Sequence, residues 1–454
     1  MVYDIVNLQA ATSTENLRAL EEVKDFYTTD LGRGGKKRWT YHMLAEAALN
    51  VELHRMSNAT SSTFVDSVTF QPCAAYADLN QDRYSIEEWE LPGGVWQFTA
   101  IYDGALNSLR TSYVFPCRTN GQIFVGHCGH DTVNYVHERL PSIVRTSLQA
   151  LLQRVPITSL KPEFVSEVLC SAVRHLDQAI LSELLDFLPH DHLTQMSDTQ
   201  VDQHISHHYS EWNAISTLCT QGSTVLLALS DPLKKNIWIL NLGDSIAVLG
   251  SRSLSGKWSA TIVNSVHNCN NRSESQRIQQ EHPLEQACVC DNRVLGYLAP
   301  TRALGDTWLK VPSVYTRRAF APHLQDWLSP RQVAQYASRI LTPPYISELP
   351  EVYHHSLDIS QHELLLILSS DGLQDLYDNN DIQLSDQEMA DHWVGLVGHH
   401  MHSTTDMEMQ SNLALRLLRD AVGGDNTELV SRNLTLEMED KWMDDVTILV
   451  QRFQ

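Results

Sequence analysis

Leu366-Ile367-Leu368-Ser369-Ser370-Asp371-Gly372 is an apolar strand that runs out into an aspartate beside a glycine. The chain sets acids at strand ends three more times: Phe98-Thr99-Ala100-Ile101-Tyr102-Asp103-Gly104, Ile239-Leu240-Asn241-Leu242-Gly243-Asp244 and Met443-Asp444-Asp445-Val446. Singly, each reads as an ordinary turn, because Asp and Gly supply the backbone conformations that end strands. Together they suggest more. Strand ends of a packed sheet can bring carboxylates from distant positions to one rim, where mutual repulsion must be offset by bound cations. Donors that are all oxygen imply a hard metal, Mg²⁺ or Mn²⁺.

Outward from these ends, residues 223–229, 237–242, 246–250 and 258–263 form a strand-rich block, and 446–450 a closing strand. Apolar residues at Val133, Val136, Leu140, Val144, Leu148 and Leu151 predict an amphipathic helix over 131–154, and a second is expected over 162–188. Further helices are expected near 330–341 and 412–422. Residues 1–61 read as a helical N-terminal extension, with helices over 20–27 and 44–56 around a basic, Gly-rich turn. Helices and strands come in runs instead of alternating singly, which predicts an α+β fold with layered antiparallel sheets.

The 454 residues, 43% hydrophobic and 19% charged, can build a large core. Lys plus Arg number 33 against 55 Asp plus Glu, and the net charge of −22 repels phosphate backbones, so nucleic acid is not an expected partner. No apolar stretch approaches the 18 residues of a membrane span. The eight Cys form no CxxC pair, and Cys288-Val289-Cys290 suits no mutual disulfide; a reduced, intracellular protein is expected. The acidic first 30 residues carry no readable import signal.

With Gly243-Asp244-Ser245, Arg293-Val294-Leu295-Gly296, Arg302-Ala303-Leu304-Gly305-Asp306, Ser370-Asp371-Gly372 and Trp442-Met443-Asp444-Asp445-Val446-Thr447 in this order, the chain resembles the type-2C metal-dependent Ser/Thr protein phosphatases (the PPM family). Glu281-His282-Pro283, Thr342-Pro343-Pro344-Tyr345 and 417–424 resemble the pyruvate dehydrogenase phosphatase branch in particular. The similarity covers roughly 62–454, taken as one phosphatase domain. It implies a four-layer αββα sandwich of two antiparallel sheets flanked by helices, with a two-metal site at one end.

By the same resemblance, Asp371 and Asp444 would bind the first Mg²⁺ or Mn²⁺, Asp103 would bridge both ions, and the Gly104 carbonyl would complete the second. Gln81 and Asp82 would act directly or through water, and Asp244 with Asp371 would match a weaker third position. His127 would protonate the departing serine or threonine oxygen. The implied activity is hydrolysis of phosphoserine and phosphothreonine in a phosphoprotein substrate by a metal-bridged hydroxide. A mitochondrial location follows from the resemblance alone, with the cytoplasm as the alternative.

Four departures qualify this expectation. The bridging motif is interrupted: Asp103-Gly104 meets its continuation His127-Cys128-Gly129 only after residues 105–126, an insertion read either as translated intron or as a true surface loop. A competing alignment uses Phe124-Val125-Gly126-His127, which would put Val125 where the bridging aspartate belongs. Closing a 22-residue loop costs about 3 kcal/mol beyond a constant, which a stable fold tolerates. Gln81 stands where the family has a glutamate, and Ile246 and Val266 replace an arginine and an aspartate. A pseudophosphatase, the same sandwich acting as a phosphoprotein-binding scaffold, is therefore the alternative function.

Overall fold

Two kinds of strand pattern build the sheets. Runs such as Glu363–Ser369, beyond its exposed first residue, and Val225–Ser230 are buried on both faces, as expected of strands sandwiched between a second sheet and a helical layer. Trp258–Ile262 instead alternates half-buried and exposed residues, the signature of a strand at a sheet edge. The computed structural model describes residues 26–32, 38–73, 80–104, 129–359, 363–380, 382, 384–401, 412–438 and 441–453. His127, the entire 105–126 insertion and the centre of the basic turn lie outside the described residues.

The chain opens with β1 (Phe26–Thr29), β2 (Trp39–His42), α1 (Glu46–Ser57), β3 (Thr60–Ser61), β4 (Val65–Phe70), β5 (Arg83–Leu91) and β6 (Gly94–Tyr102). Helices α2 (Asp131–Arg154), α3 (Pro162–Phe187), α4 (His190–Gln195), α5 (Asp198–His207) and α6 (Tyr209–Thr220) follow. Next come β7 (Gly222–Ser223), β8 (Val225–Ser230), β9 (Asn236–Leu242), β10 (Ile246–Arg252), β11 (Trp258–Ile262), α7 (Arg272–Glu281), β12 (Val289–Cys290), β13 (Arg293–Val294) and β14 (Leu304–Gly305). After helical turns within 307–324, the chain finishes with α8 (Pro330–Arg339), β15 (Glu351–Ser356), β16 (Glu363–Ser369), α9 (Gly372–Asn379), α10 (Asp386–His400), α11 (Leu413–Ala421), α12 (Thr427–Thr435) and β17 (Val446–Phe453).

One sheet runs β11-β10-β16-β17-β4-β3 and the other β15-β9-β8-β6-β5, with every pairing antiparallel. Ile101, Leu226, Ile239, Leu366, Leu368 and Leu449 fill the space between them. On the outside of the five-stranded sheet, α2 and α3 bury Val136, Leu140, Val144 and Leu176 against Trp96 and Trp238. On the other outer face, Trp393, Leu417 and Leu418 pack on Val248, Leu365 and Val450. This is the four-layer αββα sandwich that the family resemblance implies, and its antiparallel layers are those that the grouped elements predict. A further core, with Trp212, Trp308, Tyr315 and Phe320, joins α6 to the segment around 307–346 beside the sandwich. All six described cysteines are free.

The described part of the first 61 residues departs from a purely helical extension, and residues 20–25 of the helix expected over 20–27 lie outside the described residues. Helix α1 forms as expected, but Phe26–Thr29 pairs with Trp39–His42 as an antiparallel hairpin where a helix over 20–27 was expected. Phe-Tyr-Thr-Thr is aromatic and β-branched, and across the turn its strand partner outweighs local helix propensity. Leu49 and Leu53 of α1 pack with the outer layer of the six-stranded sheet, and β3 pairs with β4, so pairing crosses the expected boundary at 61/62. Helices α10 and α12 escaped the sequence reading, although Ser385 and Glu388 form a capping box, a motif whose cap is worth about 1 kcal/mol.

The end of β16 shows how tightly the site's backbone is held. A Cβ at Gly372 would overlap the carbonyl oxygen of Asp445, which is backbone and cannot rotate away. Gly372→Ala should therefore lower unfolding free energy by about 3 kcal/mol. Chemical denaturation checks this; an unchanged midpoint would contradict the close approach.

Candidate metal centre

Each acid at the centre is delivered by a strand end. Asp103 follows β6, its carbonyl accepts the Thr224 N–H at 2.9 Å, and Gly104 bridges Ser223. Asp244 sits in the turn from β9 to β10, where Gly243 has φ of 132° and its missing Cβ leaves room for Thr224. Asp371 lies between β16 and α9, and Asp444 shortly before β17. Carboxylate oxygens of Asp103, Asp244 and Asp371 lie within 4.8 Å of one another, the one such cluster found among the described residues.

Asp82 enters from the residue before β5. Its N–H is held by Asn80 Oδ1 at 2.8 Å and its Oδ2 accepts the Ser370 hydroxyl at 2.8 Å; Ser370 in turn accepts the Thr447 N–H at 2.9 Å. Asp82 Oδ1 and Gln81 Oε1 are buried and take no hydrogen bond. The Gln81 backbone N–H donates to Asp445 Oδ2 at 3.0 Å, and a Cβ at Gly104 would lie 2.9 Å from Gln81 Cβ. Asp444 Oδ1 accepts from Lys441 Nζ at 3.1 Å and from the Asp445 N–H at 2.8 Å.

So many acids in little water resist ionisation. Burial, then the charges of Asp82, Asp371, Asp444 and Asp244, raises the Asp103 carboxyl well above the carboxylate range. Asp371 is raised likewise by burial, then by Asp244, Asp444, Asp375 and Asp82. Burial, then Asp445, pushes Asp82 up to about 7 against the opposing bonds from Ser370 and Thr447. Asp244 also reaches about 7, through burial and then Asp375 and Asp444, with its backbone hydrogen bond and Arg293 working the other way.

Buried acceptors without donors, an all-oxygen donor set and crowded like charge together fit Mg²⁺ or Mn²⁺. Sequence reasoning missed Asp375, four residues after Asp371 and thus one helical turn along α9, although that spacing was readable. It also missed Ser370 as a support for Asp82, and Lys441, a cation whose pairing only the folded chain reveals. A groove of about 680 Å³ between α2 and α3, lined by Ser142, Thr146, Arg174 and His175 among others, holds none of these acids.

The surroundings are braced. Glu274 accepts Arg302 at 2.6 and 3.0 Å, Arg277 at 2.9 Å and the Thr301 hydroxyl at 2.5 Å, and Arg302 also reaches Glu351 at 2.9 Å. Burial alone would raise Glu274, but these donors hold it far below the usual range. Buried His267 accepts the Gly243 N–H at 3.2 Å through Nδ1, fixing the turn that carries Asp244. The interrupted motif is clamped on both sides: Gly104 bridges Ser223, while Gln221 Oε1 accepts the Asp131 N–H at 2.9 Å, and a Cβ at Gly129 would overlap that same Gln221 side chain. Both ends thus dock on neighbouring residues of one short segment. Val125, the competing candidate for the bridging position, lies outside the described residues, whereas Asp103 stands in the acidic cluster.

The protein phosphatase 2C family model matches residues 119–393, more than half of the chain. That match holds Asp244 and Asp371 and begins downstream of Asp103. A protein phosphatase 2C homolog of Schizosaccharomyces pombe is 26% identical over 348 residues, covering 72% of each chain. Human mitochondrial [pyruvate dehydrogenase [acetyl-transferring]]-phosphatase 2 is 28% identical over 411 residues, covering 74% of this chain and 73% of its own. The corresponding human phosphatase 1 is 29% identical over 260 residues, and the match spans about half of each, 51% of this chain and 48% of the relative. Among solved structures, a serine-threonine phosphatase 2C from Toxoplasma gondii aligns with a TM-score of 0.46 at 15% identity, covering 88% of this chain and 98% of that one.

Proposed function

Because the chain belongs to the protein phosphatase 2C family, and is by that membership a metal-dependent protein serine/threonine phosphatase, we propose that the acidic centre described above is its active site. The convergence of Asp103, Asp244 and Asp371 within 4.8 Å carries this reading. Asp103, Asp371 and Asp444 would hold two ions of Mg²⁺ or Mn²⁺, with Asp244 and Asp371 at a weaker third position and the Gly104 carbonyl and Gln81 Oε1 as neutral donors. Bound there, divalent ions supply Lewis-acid polarisation of a phosphoryl group and lower the pKa of water.

The chain's own residues then have distinct tasks. Asp82, with Oδ1 buried and unbonded, orients a water and can take its proton at that oxygen. Ser370 and Thr447 keep its other oxygen fixed. His127 is assigned the proton delivered to the departing serine or threonine oxygen, whose strong basicity makes that transfer worth about 10²–10⁴-fold in rate. The scaffold alternative gains nothing from the geometry, since the interruption after Gly104 leaves Asp103 beside Asp244 and Asp371.

Hydrolysis of a phosphoserine peptide against Mn²⁺ concentration tests the reading, in the full chain and in a variant joining Gly104 directly to His127. Both are expected to be active, the joined variant at least as much as its parent. Inactivity of both at saturating Mn²⁺ would end the assignment. The finer reading, a pyruvate dehydrogenase-type substrate in mitochondria, draws on the names of the similar phosphatases. Release of phosphate from phosphorylated pyruvate dehydrogenase, faster than from the generic peptide, would support it.

Gln81 offers an amide oxygen where a carboxylate would add charge, so Gln81→Glu is expected to lower the half-saturating Mn²⁺ concentration by about 10–100-fold. An unchanged concentration would remove Gln81 from the set of donors.

A further inference from the structure

We propose that Lys441 is a built-in cation of the acidic centre, one that pins Asp444 and sets a ceiling on the affinity for divalent ions. The proposal rests on the reading that the centre binds such ions. Lys441 Nζ lies 3.1 Å from Asp444 Oδ1 and 2.9 Å from Asp445 Oδ2, and the three side chains are only 10%, 11% and 2% exposed. Lys441 is thus ion-paired with both acids, whereas Arg83, beside Asp82, donates to the Asn80 and Asp82 carbonyls and to Asn134.

The two partners of Lys441 differ. Asp445 is otherwise satisfied, taking Gln71 Nε2 at 2.8 Å and the Gln81 N–H at 3.0 Å, so it anchors the ammonium. Asp444 accepts both of its bonds on Oδ1, from Lys441 and from the Asp445 N–H, which fixes the carboxylate's rotation. The ammonium thus holds Asp444 in place and keeps neighbouring like charges together in the metal-free chain. Its unit charge, behind a ligand carboxylate in a poorly hydrated setting, also repels any divalent cation that arrives. Gln81 withholds a negative charge and Lys441 adds a positive one, so both act against tight binding.

The test is calorimetric titration with Mn²⁺, together with thermal melts in EDTA, on the unsubstituted protein and on Lys441→Gln, Lys441→Met, Lys441→Arg and Asp371→Asn. Glutamine keeps a donor and removes only the charge; methionine keeps length and removes both. Each neutral variant should bind Mn²⁺ about tenfold more tightly or better. Each should also melt at a lower temperature in EDTA. Lys441→Arg should stay within about threefold of the parent affinity, since charge and not shape sets the ceiling. A folded neutral variant that binds no tighter than the parent, or an arginine variant that tightens as the neutral ones do, overturns the proposal. Asp371→Asn separates the two readings. Affinity equal to the parent's in that variant would sink the metal centre itself, and the role of Lys441 with it.

Discussion

Asp371→Asn is expected to cut phosphopeptide hydrolysis by on the order of a hundredfold to a thousandfold even at saturating Mn²⁺. Asparagine has the size of aspartate, and the helical start at this position is held by backbone, with the Asp375 N–H bonded to the Asp371 carbonyl at 3.0 Å. The substitution therefore removes one charge and little structure. When ionised, that carboxylate lies among those of Asp244, Asp444, Asp375 and Asp82, so asparagine spares the metal-free chain the repulsion that ionising it would bring. A second readout follows: in EDTA the variant should melt no lower than the parent, and Mn²⁺ should raise its melting temperature less. Retained hydrolysis would refute the role of Asp371, and a variant unfolded in EDTA would show that its loss acts through the fold.

The second large effect is a stability that falls as pH rises. Asp82 and Asp244 titrate at about 7 in the folded chain, against about 3.9 for an unfolded aspartate. Between those values the native state keeps protons that the unfolded state has lost. The stabilisation is complete below pH of about 4 and disappears as pH climbs through 7, and Asp103 and Asp371, raised for the same reason, extend the loss to higher pH. Its size in EDTA should be several kcal/mol, on the order expected when two buried groups each shift by about three units. Glu274 works in the opposite direction at the acid end, because its donors hold it low and that stability is lost only as pH falls. Mn²⁺ should reverse the decline, since ions replace protons, and its stabilising shift should be larger at pH 8 than at pH 6. Melting temperatures that rise with pH in EDTA, or a Mn²⁺ shift equal at both pH values, would contradict the crowded-carboxylate account.

Much of this was readable from local pattern. The strands ending at Asp103, Asp244 and Asp371 and the helices α2 and α3 announce themselves because a layered fold forces continuous apolar runs in central strands and a single apolar stripe on its outer helices. Phe26–Thr29 was misjudged because a short aromatic segment takes its conformation from its partner strand, and Asp375 was overlooked because a single acid in a helix looks like a solvated one.

By itself the sequence determined the α+β layering, the set of acids at strand ends and their oxygen-only chemistry, since these depend on residue type and short spacing. Only the tertiary structure decided that Asp103 shares a site with Asp244 and Asp371, and that Lys441 spans Asp444 and Asp445. The reason is physical: side chains far apart along the chain, as Asp103 and Asp371 are, meet only when sheet register and packing bring their strand ends to one rim. Local periodicity carries no information about that meeting.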